Sequence, residues 1–319
     1  MKVSCLSQLP HSSPNYRHSA RALCLLILGL SILGICDSFV QAFSDRVGLG
    51  QFHFIRSFFA VICIIVIARF SKISLMPRRW GAVLVRTLFM VCAMMLFFSV
   101  LSFQPSAVAG AGLFTAPVFT LLFSALFFGT KIGWRRIAAI IFGTAGVILV
   151  LDVGEAGFQP LAILPIIAGA FYALAILMTS HYCQHENPFS LVIVFFIAIG
   201  GAGLLTSLIL TYLDITNPTP QAAFLLRGWQ AISFSDVLII AVMALTTMTS
   251  IVMMARAYQI SESSYSVVYE YSYLVSAALF GWLFWQIDFS FLTIAGMVLI
   301  FVAGVIVTLA SAKERYLDS

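Results

Sequence analysis

Long apolar segments separated by short polar connections cover almost the whole chain. Runs of roughly 17 to 25 apolar residues can cross a bilayer as helices. Ten such runs occur: 22–42, 51–69, 84–104, 107–129, 134–151, 160–181, 189–212, 235–257, 264–286 and 290–311. The longest connection, 214–233, is too short for a soluble domain with its own core. The pattern predicts an all-α integral membrane protein whose function lies among its helices.

The composition supports the prediction of an integral membrane protein. Of the 319 residues, 61% are hydrophobic and 9% are charged, whereas about a quarter of the residues in a typical soluble domain carry a charge. The mean hydropathy is +1.06. No glycine-rich phosphate loop occurs in the sequence, so a gradient of substrate, protons or Na⁺ is the expected energy source, and no cofactor is expected.

The lysines and arginines predict which loops face the cytosol. If the amino terminus is cytosolic, 14 of the 17 basic residues fall inside, Arg56 lies within a span, and only Arg46 and Arg227 fall outside. This distribution satisfies the positive-inside rule with ten spans and both termini in the cytosol. The tails 1–20 and 312–319 are expected to be cytosolic, the first of them disordered. Because the basic residues serve topology, no nucleic-acid partner is expected.

The two halves of the chain repeat a pattern. LFFG and, after a gap, TAGVILVL lead to Leu151, while LFWQ and VAGVIVTL lead to Leu309. Since each half holds five predicted spans, an odd number, the second copy must enter the membrane from the opposite face. The sequence therefore predicts two inverted five-helix repeats, 21–152 and 160–311, in the cytoplasmic membrane. Inverted repeats are usual in alternating-access carriers, although a duplication can also persist because it packs well.

Four further stretches carry a family resemblance. They are CDSFVQAF from Cys36, FIRSFFA from Phe54, LVRTLF from Leu84 and TAPVFTLLFSALFFG from Thr115. In order and spacing, over nearly the whole chain, they resemble the drug/metabolite transporter superfamily, in particular its EamA type. The resemblance implies secondary transport of small organic solutes, often outward, through a central cavity lined by helices of both halves.

The chain departs from that family at two kinds of position. The family often has Gly-Glu after the fourth and ninth helices, where this chain has Gly129–Thr130 and Gln286–Ile287. It also often has lysine where Gln41 stands, four residues after Asp37. A charge partner for Asp37 must therefore be missing or be supplied elsewhere.

Glu270, in the ninth predicted span, is the foremost candidate for substrate binding. An ionisable residue inside the bilayer is costly and is therefore a functional candidate. Ser266 and Tyr273 lie at i−4 and i+3 from it, so one helix face could offer a carboxylate, hydroxyls and an aromatic ring. Such a face would suit a cationic or zwitterionic solute or a transported proton. A structural hydrogen bond to a neighbouring helix is the alternative.

Other residues are weaker candidates for the pathway. Asp37, near the outer end of the first span, is either a binding residue or an interfacial cap, and Phe97 and Tyr172 lie mid-span where they could line the cavity. Arg56 and Arg86 begin the second and third spans, so both are expected to anchor to lipid headgroups. An intramembrane pair of Asp37 with Arg56 is the second interpretation of Arg56.

Two further patterns concern helix packing and metal binding. Gly200, Gly201 and Gly203 predict a packing surface. His181 and His185 have the spacing of a metal pair but lack a third ligand in the sequence, so no metal site is expected.

The expected function is therefore a secondary transporter of a small organic metabolite, such as an amino acid, amine, nucleoside or drug-like solute, with export favoured. Coupling to protons or Na⁺ and the oligomeric state stay open. The alternatives are a membrane-embedded lipid-modifying enzyme, a channel or a scaffold. No catalytic residue is predicted, and the expected partners are the solute and the lipid bilayer.

Overall fold

The described part of the structure, a computed structural model, is entirely helical in its regular elements. It comprises residues 16–101, 109–110, 113, 115–129, 133–150, 163–213, 223–260, 269, 272–286, 290–299, 302–303 and 306. The helices are α1 (Tyr16–Ser38), α2 (Leu49–Ser71), α3 (Trp80–Val100), α4 (Ala116–Phe128), α5 (Trp134–Val150), α6 (Ile163–His181), α7 (Pro188–Leu213), α8 (Ala223–Leu226), α9 (Phe234–Ile260) and α10 (Ser272–Trp285). A 3₁₀ helix, Phe39–Ala42, extends α1, and residues 291–299 are also helical.

Six helices are long and apolar enough to cross a membrane. They are α1 from Arg21 onward, α2, α3, α6, α7 and α9, and they coincide with six of the ten predicted spans. The other four predicted spans each contain a shorter described helix, namely α4, α5, α10 or residues 291–299. The protein is therefore an all-helical, multi-pass membrane protein, and the total of ten spans stays a prediction.

Contacts between loops define two ends of the helix bundle. At the Arg46 end, the α1–α2 loop meets the start of α9, where Arg46 Nη2 lies 2.9 Å from Asp236 Oδ1. At the Glu186 end, the α6–α7 loop meets the start of α3, where the Glu186 carboxylate accepts the backbone N–H groups of Arg78 and Arg79 at 2.9 and 2.7 Å. Helices α2 and α9 therefore begin at the Arg46 end, and α3 and α7 begin at the Glu186 end.

The main helix contacts join the first part of the chain to the second. Helix α1 packs against α9 and α10, and α6 packs against α3 and α4. Helix α2 packs against α7 and α9, and α7 packs against α2 and α3. The apolar core is formed mainly where these helices meet. In lipid, close packing between helices, rather than removal from water, favours this association.

Glycines bring α2 and α7 into close contact. A Cβ atom added to Gly203 would lie 2.6 Å from the carbonyl oxygen of Gly50, and one added to Gly200 would lie 2.6 Å from the Cβ atom of Ser57. The predicted packing role is therefore confirmed for Gly200 and Gly203. It is wrong for Gly201, which is exposed and would meet no atom within 4 Å, because its position on α7 turns it away from α2.

Candidate functional site

A small cavity lies where the two parts of the chain meet. Helices α1, α2, α3, α6, α7, α9 and α10 all contribute side chains to its wall. This central cavity is bounded by Asp37, Arg56, Phe97, Tyr172, Phe195 and Tyr273, together with methionine and aliphatic side chains. Its wall is thus mostly apolar and aromatic, and Asp37 and Arg56 are its charged members among the described residues.

Asp37 is held in the last turn of α1 by a contact with α10. Its side chain is 2% exposed, and its Oδ2 atom accepts a hydrogen bond from the Tyr273 hydroxyl at 3.1 Å. The helices can approach this closely because of Gly34, where an added Cβ would lie 2.7 Å from the carbonyl oxygen of Tyr273. The Oδ1 atom of Asp37 has no hydrogen-bond partner within the described part of the protein. One carboxylate oxygen is therefore available to a solute.

Arg56 is fully enclosed by aromatic side chains. It is 1% exposed, and its guanidinium carbon lies 4.8 Å from the ring centroids of both Phe52 and Phe98. The faces of aromatic rings attract a cation, more strongly where water is excluded. Arg56 Nη2 also donates to His53 Nδ1 at 3.1 Å, since an arginine nitrogen can only donate. Among the described residues, aromatic rings and His53 therefore stabilise the Arg56 charge, and no carboxylate lies within 4 Å of it.

The predicted role of Arg56 as a headgroup anchor is wrong. Phe52 and His53 precede it by one turn on the same face of α2, so the guanidinium folds over them toward the core and away from the lipid interface. The second interpretation is nearer to the structure, because Asp37 and Arg56 line the same cavity. The two ion pairs within 4 Å among the described residues both involve Arg46, so Asp37 and Arg56 do not touch.

The structure brings four of the predicted site residues to one cavity. Asp37, Phe97, Tyr172 and Tyr273 all line it, and the rings of Phe97 and Tyr273 meet edge to face with centroids 6.5 Å apart. Their part in substrate binding stays a prediction. Two more candidates, Glu270 and Ser266, lie outside the described residues.

A second, narrow cavity adjoins the central one and contains Arg86. This Arg86 cavity is bounded by Arg86, Tyr172, Thr179 and Tyr258. The Arg86 side chain is 3% exposed, and its Nε atom donates to the Thr179 hydroxyl at 2.8 Å. The expectation that Arg86 anchors to headgroups is therefore wrong, because α6 offers the guanidinium a hydrogen-bond acceptor inside the bundle.

Sequence reasoning missed several residues of the central cavity. Arg56 was named as a headgroup anchor or a partner of Asp37, but its burial against Phe52 and His53, one turn earlier on the same helix, was not foreseen. Phe195 and Thr247 line the same cavity from α7 and α9. No local signal distinguishes these two from the many other apolar or small polar residues in their spans.

A bundle of membrane-crossing helices around an apolar cavity with buried charges is the arrangement of a small-molecule transporter. The model of the EamA-like transporter family matches the chain in two stretches, residues 20–152 and 160–309. The chain belongs to this family, in the drug/metabolite transporter superfamily.

Named relatives include transporters and exporters. The chain is 25% identical over 267 residues to a riboflavin transporter of Vibrio cholerae serotype O1, which covers 82% of this chain and 84% of the relative. It is 24% identical over 287 residues to the pseudopaline exporter CntI of Pseudomonas aeruginosa, covering 88% of this chain and 93% of the relative. One solved crystal structure superimposes with a TM-score of 0.69 at 15% identity, over 92% of this chain and 98% of that one, so the two share a fold.

Proposed function

We propose that this protein is a secondary transporter that exports a small organic solute across the cytoplasmic membrane by alternating access. The observation that carries the proposal is the central cavity, where Asp37 and Arg56 lie in an apolar enclosure. Its walls come from α1, α2 and α3 in the first family-matched stretch and from α6, α7, α9 and α10 in the second. A solute bound there would contact both halves, as alternating access requires.

The helix contacts support two inverted five-helix repeats at 21–152 and 160–311. If α1, α2, α3 and α4 correspond to α6, α7, α9 and α10, the contact of α1 with α9 has its counterpart in α6 with α3. The contact of α1 with α10 corresponds to that of α6 with α4, and α2 with α9 corresponds to α7 with α3. The contact of α2 with α7 maps onto itself. Corresponding helices also begin at opposite ends of the bundle, which is the property of an inverted repeat.

Contacts at the two ends support a mechanism in which each end opens in turn. The Arg46–Asp236 ion pair joins the halves at one end, and the hydrogen bonds of Glu186 to the backbone of Arg78 and Arg79 join them at the other. Opening either end requires that its contact be broken while the other is kept. The positive-inside rule assigns the Glu186 end, with Arg78 and Arg79, to the cytosol.

The wall of the cavity supports an organic solute with an aromatic or other apolar part. Phe97, Phe98, Phe195, Tyr172 and Tyr273 offer ring faces and edges to a planar molecule. One relative is named a riboflavin transporter, so riboflavin is a rational first solute to test, beside phenylalanine and adenosine as smaller solutes of other classes.

Flux through proteoliposomes tests the proposal. Vesicles holding the purified protein and an unlabelled solute should accumulate the labelled solute by counterflow, with a rate that saturates. In Asp37→Asn the cavity loses its carboxylate, and in Tyr273→Phe Asp37 loses the hydroxyl that positions it. A hydrogen bond between a solute and this carboxylate would be worth about 1.5 to 3 kcal/mol. Both substitutions should therefore weaken the apparent affinity roughly 10- to 100-fold. Gly201→Ala, on the lipid-facing side of α7, is the matched control and should transport normally.

Two outcomes would count against the proposal. Flux that rises linearly with solute concentration and shows no counterflow would indicate a channel. Normal transport by both the Asp37 and the Tyr273 variants would remove the central cavity from the pathway.

A further inference from the structure

We propose that the solute carries an anionic group, a carboxylate or a phosphate, and that Arg86 binds this group in the Arg86 cavity. The inference rests on the proposed transport function and names the chemical class of its substrate. It departs from the cationic solute that Glu270 suggested, whereas a zwitterion stays compatible through its carboxylate.

Arg86 is a buried cation, and the described residues place no carboxylate in contact with it. Its Nε atom donates to Thr179, whose own hydroxyl donates to the Ala175 carbonyl and is thereby fixed in place. Its Nη1 atom is buried and has no hydrogen-bond partner in the described part of the chain. No carboxylate of the described residues lies within 4 Å of it, in contrast to Arg46, which pairs with Asp236. The described residues therefore leave part of the hydrogen-bonding capacity of Arg86 without a partner.

The depth of Arg86 makes an unpaired charge costly. It lies six residues after the first residue of α3, Trp80, which corresponds to about 9 Å along the helix. A charge removed from water in this way is destabilising unless it is paired and hydrogen-bonded. The planar guanidinium matches the oxygens of a carboxylate or a phosphate, which can accept two parallel hydrogen bonds from it. An anionic group entering the cavity would supply the missing partner.

The position of the Arg86 cavity places it next to the proposed binding site. Met90, Tyr172, Ile251 and Met254 line both cavities, so these side chains form the wall between them. The described lining of the central cavity includes both an acid, Asp37, and a base, Arg56. In the Arg86 cavity the charge is positive, and the described lining residues include no acid. Selection between anions and cations would therefore take place at Arg86.

Matched probes that differ in charge test this inference. Riboflavin and flavin mononucleotide differ by one phosphate, and benzamide and benzoate differ by one carboxylate. Binding to the purified, delipidated protein in detergent is measured by titration calorimetry and by the rise in unfolding temperature, since a ligand that binds the folded state stabilises it. We expect at least one charged member to bind about tenfold or more tightly than its neutral partner.

Substitutions of Arg86 assign the preference to this residue. Arg86→Gln should abolish the tenfold preference without weakening the neutral member, and Arg86→Lys should retain part of it because the charge remains while the planar fork is lost. Arg79→Gln is the matched control, since the Arg79 side chain is exposed and its contact with Glu186 uses the backbone. Without ligand, Arg86→Gln should unfold at the same or a higher temperature than the wild type. If Arg86 had a purely structural role, the Arg86→Gln variant would unfold at a lower temperature than the wild type.

The outcomes separate this inference from the proposed function. Equal binding of charged and neutral members, or no saturable binding of either anion, overturns the anionic substrate, while counterflow of a neutral solute would leave the transport proposal intact. Because phospholipid headgroups carry the same phosphate chemistry, binding is repeated in nanodiscs with and without phosphatidylglycerol. Competition of that lipid with flavin mononucleotide would assign Arg86 to a headgroup and would also overturn the proposal.

Discussion

The close contact of α2 with α7 predicts opposite effects of one methyl group at two neighbouring positions. In Gly203→Ala, the new Cβ would lie 2.6 Å from the carbonyl oxygen of Gly50 and 2.9 Å from the Cβ of His53. Neither atom can rotate away, because one belongs to the backbone and the other is fixed to it. In Gly201→Ala, the new Cβ meets no atom within 4 Å.

The expected difference in unfolding temperature comes from overpacking alone, because the other contribution is the same in both variants. Alanine favours a helix over glycine by about 1 kcal/mol, and this gain applies equally at both positions of α7. Overpacking costs about 1 to 3 kcal/mol and applies only to Gly203→Ala. With an unfolding entropy of about 2.1 cal/mol/K per residue over 319 residues, this cost corresponds to roughly 1.5 to 4.5 °C between the two variants.

Thermal unfolding in detergent, followed by the exposure of buried cysteines to a fluorogenic thiol reagent, measures this difference. Gly201→Ala should unfold at or slightly above the wild-type temperature, and Gly203→Ala should unfold below it. Because His53 bonds Arg56, the second variant should also lose transport. Equal unfolding temperatures of the two variants would refute the conclusion that α2 and α7 meet through these glycines.

Three further predictions concern the two ends of the bundle. Asp236→Asn removes the charge that pairs with Arg46, whose side chain is half exposed, so the free energy of unfolding should change by less than about 1 kcal/mol. A cysteine introduced at buried Gln51 should nevertheless be labelled faster in that variant, and an unchanged labelling rate would exclude a closing role for the ion pair. Glu186→Gln should lower the free energy of unfolding in denaturant titrations by about 1 to 2 kcal/mol, whereas a value equal to that of the wild type would show that its two backbone hydrogen bonds are dispensable. Burial raises the pKa of the Cys183 thiol, so iodoacetamide should modify it more slowly at pH 8 than in the unfolded chain and faster as the pH rises, as read by mass spectrometry; equal rates in the two states would contradict this.

The helices could be predicted because a membrane span has a simple sequence signature. Length and apolarity decide whether a segment can cross the bilayer, and the six longest apolar helices coincide with predicted spans. Family membership was also readable, since stretches such as those from Cys36 and Thr115 preserve order and spacing over the whole chain.

The contacts within the candidate site could be predicted only in part. The cavity-lining positions of Phe97 and Tyr172 followed from their mid-span location. The hydrogen bond of Asp37 with Tyr273 joins residues 236 positions apart, and no pattern in a single sequence pairs two such residues. The predictions for Arg56 and Arg86 were wrong for a physical reason. A position near a helix end suggests that an arginine reaches the lipid headgroups. Its burial depends instead on the partners that neighbouring helices provide, such as the Thr179 hydroxyl beside Arg86.

Binding of an anionic solute at Arg86 would have a consequence for the energy source of export. The Arg86 charge stays with the protein, so an anionic solute that crosses the membrane carries its own net charge with it. In a cell with an interior about 100 mV negative, each negative charge moved outward is favoured by about 2.3 kcal/mol, which sustains a concentration ratio of roughly 50 to 1. The membrane voltage alone would then drive export and oppose uptake, and such a carrier would need no coupling ion.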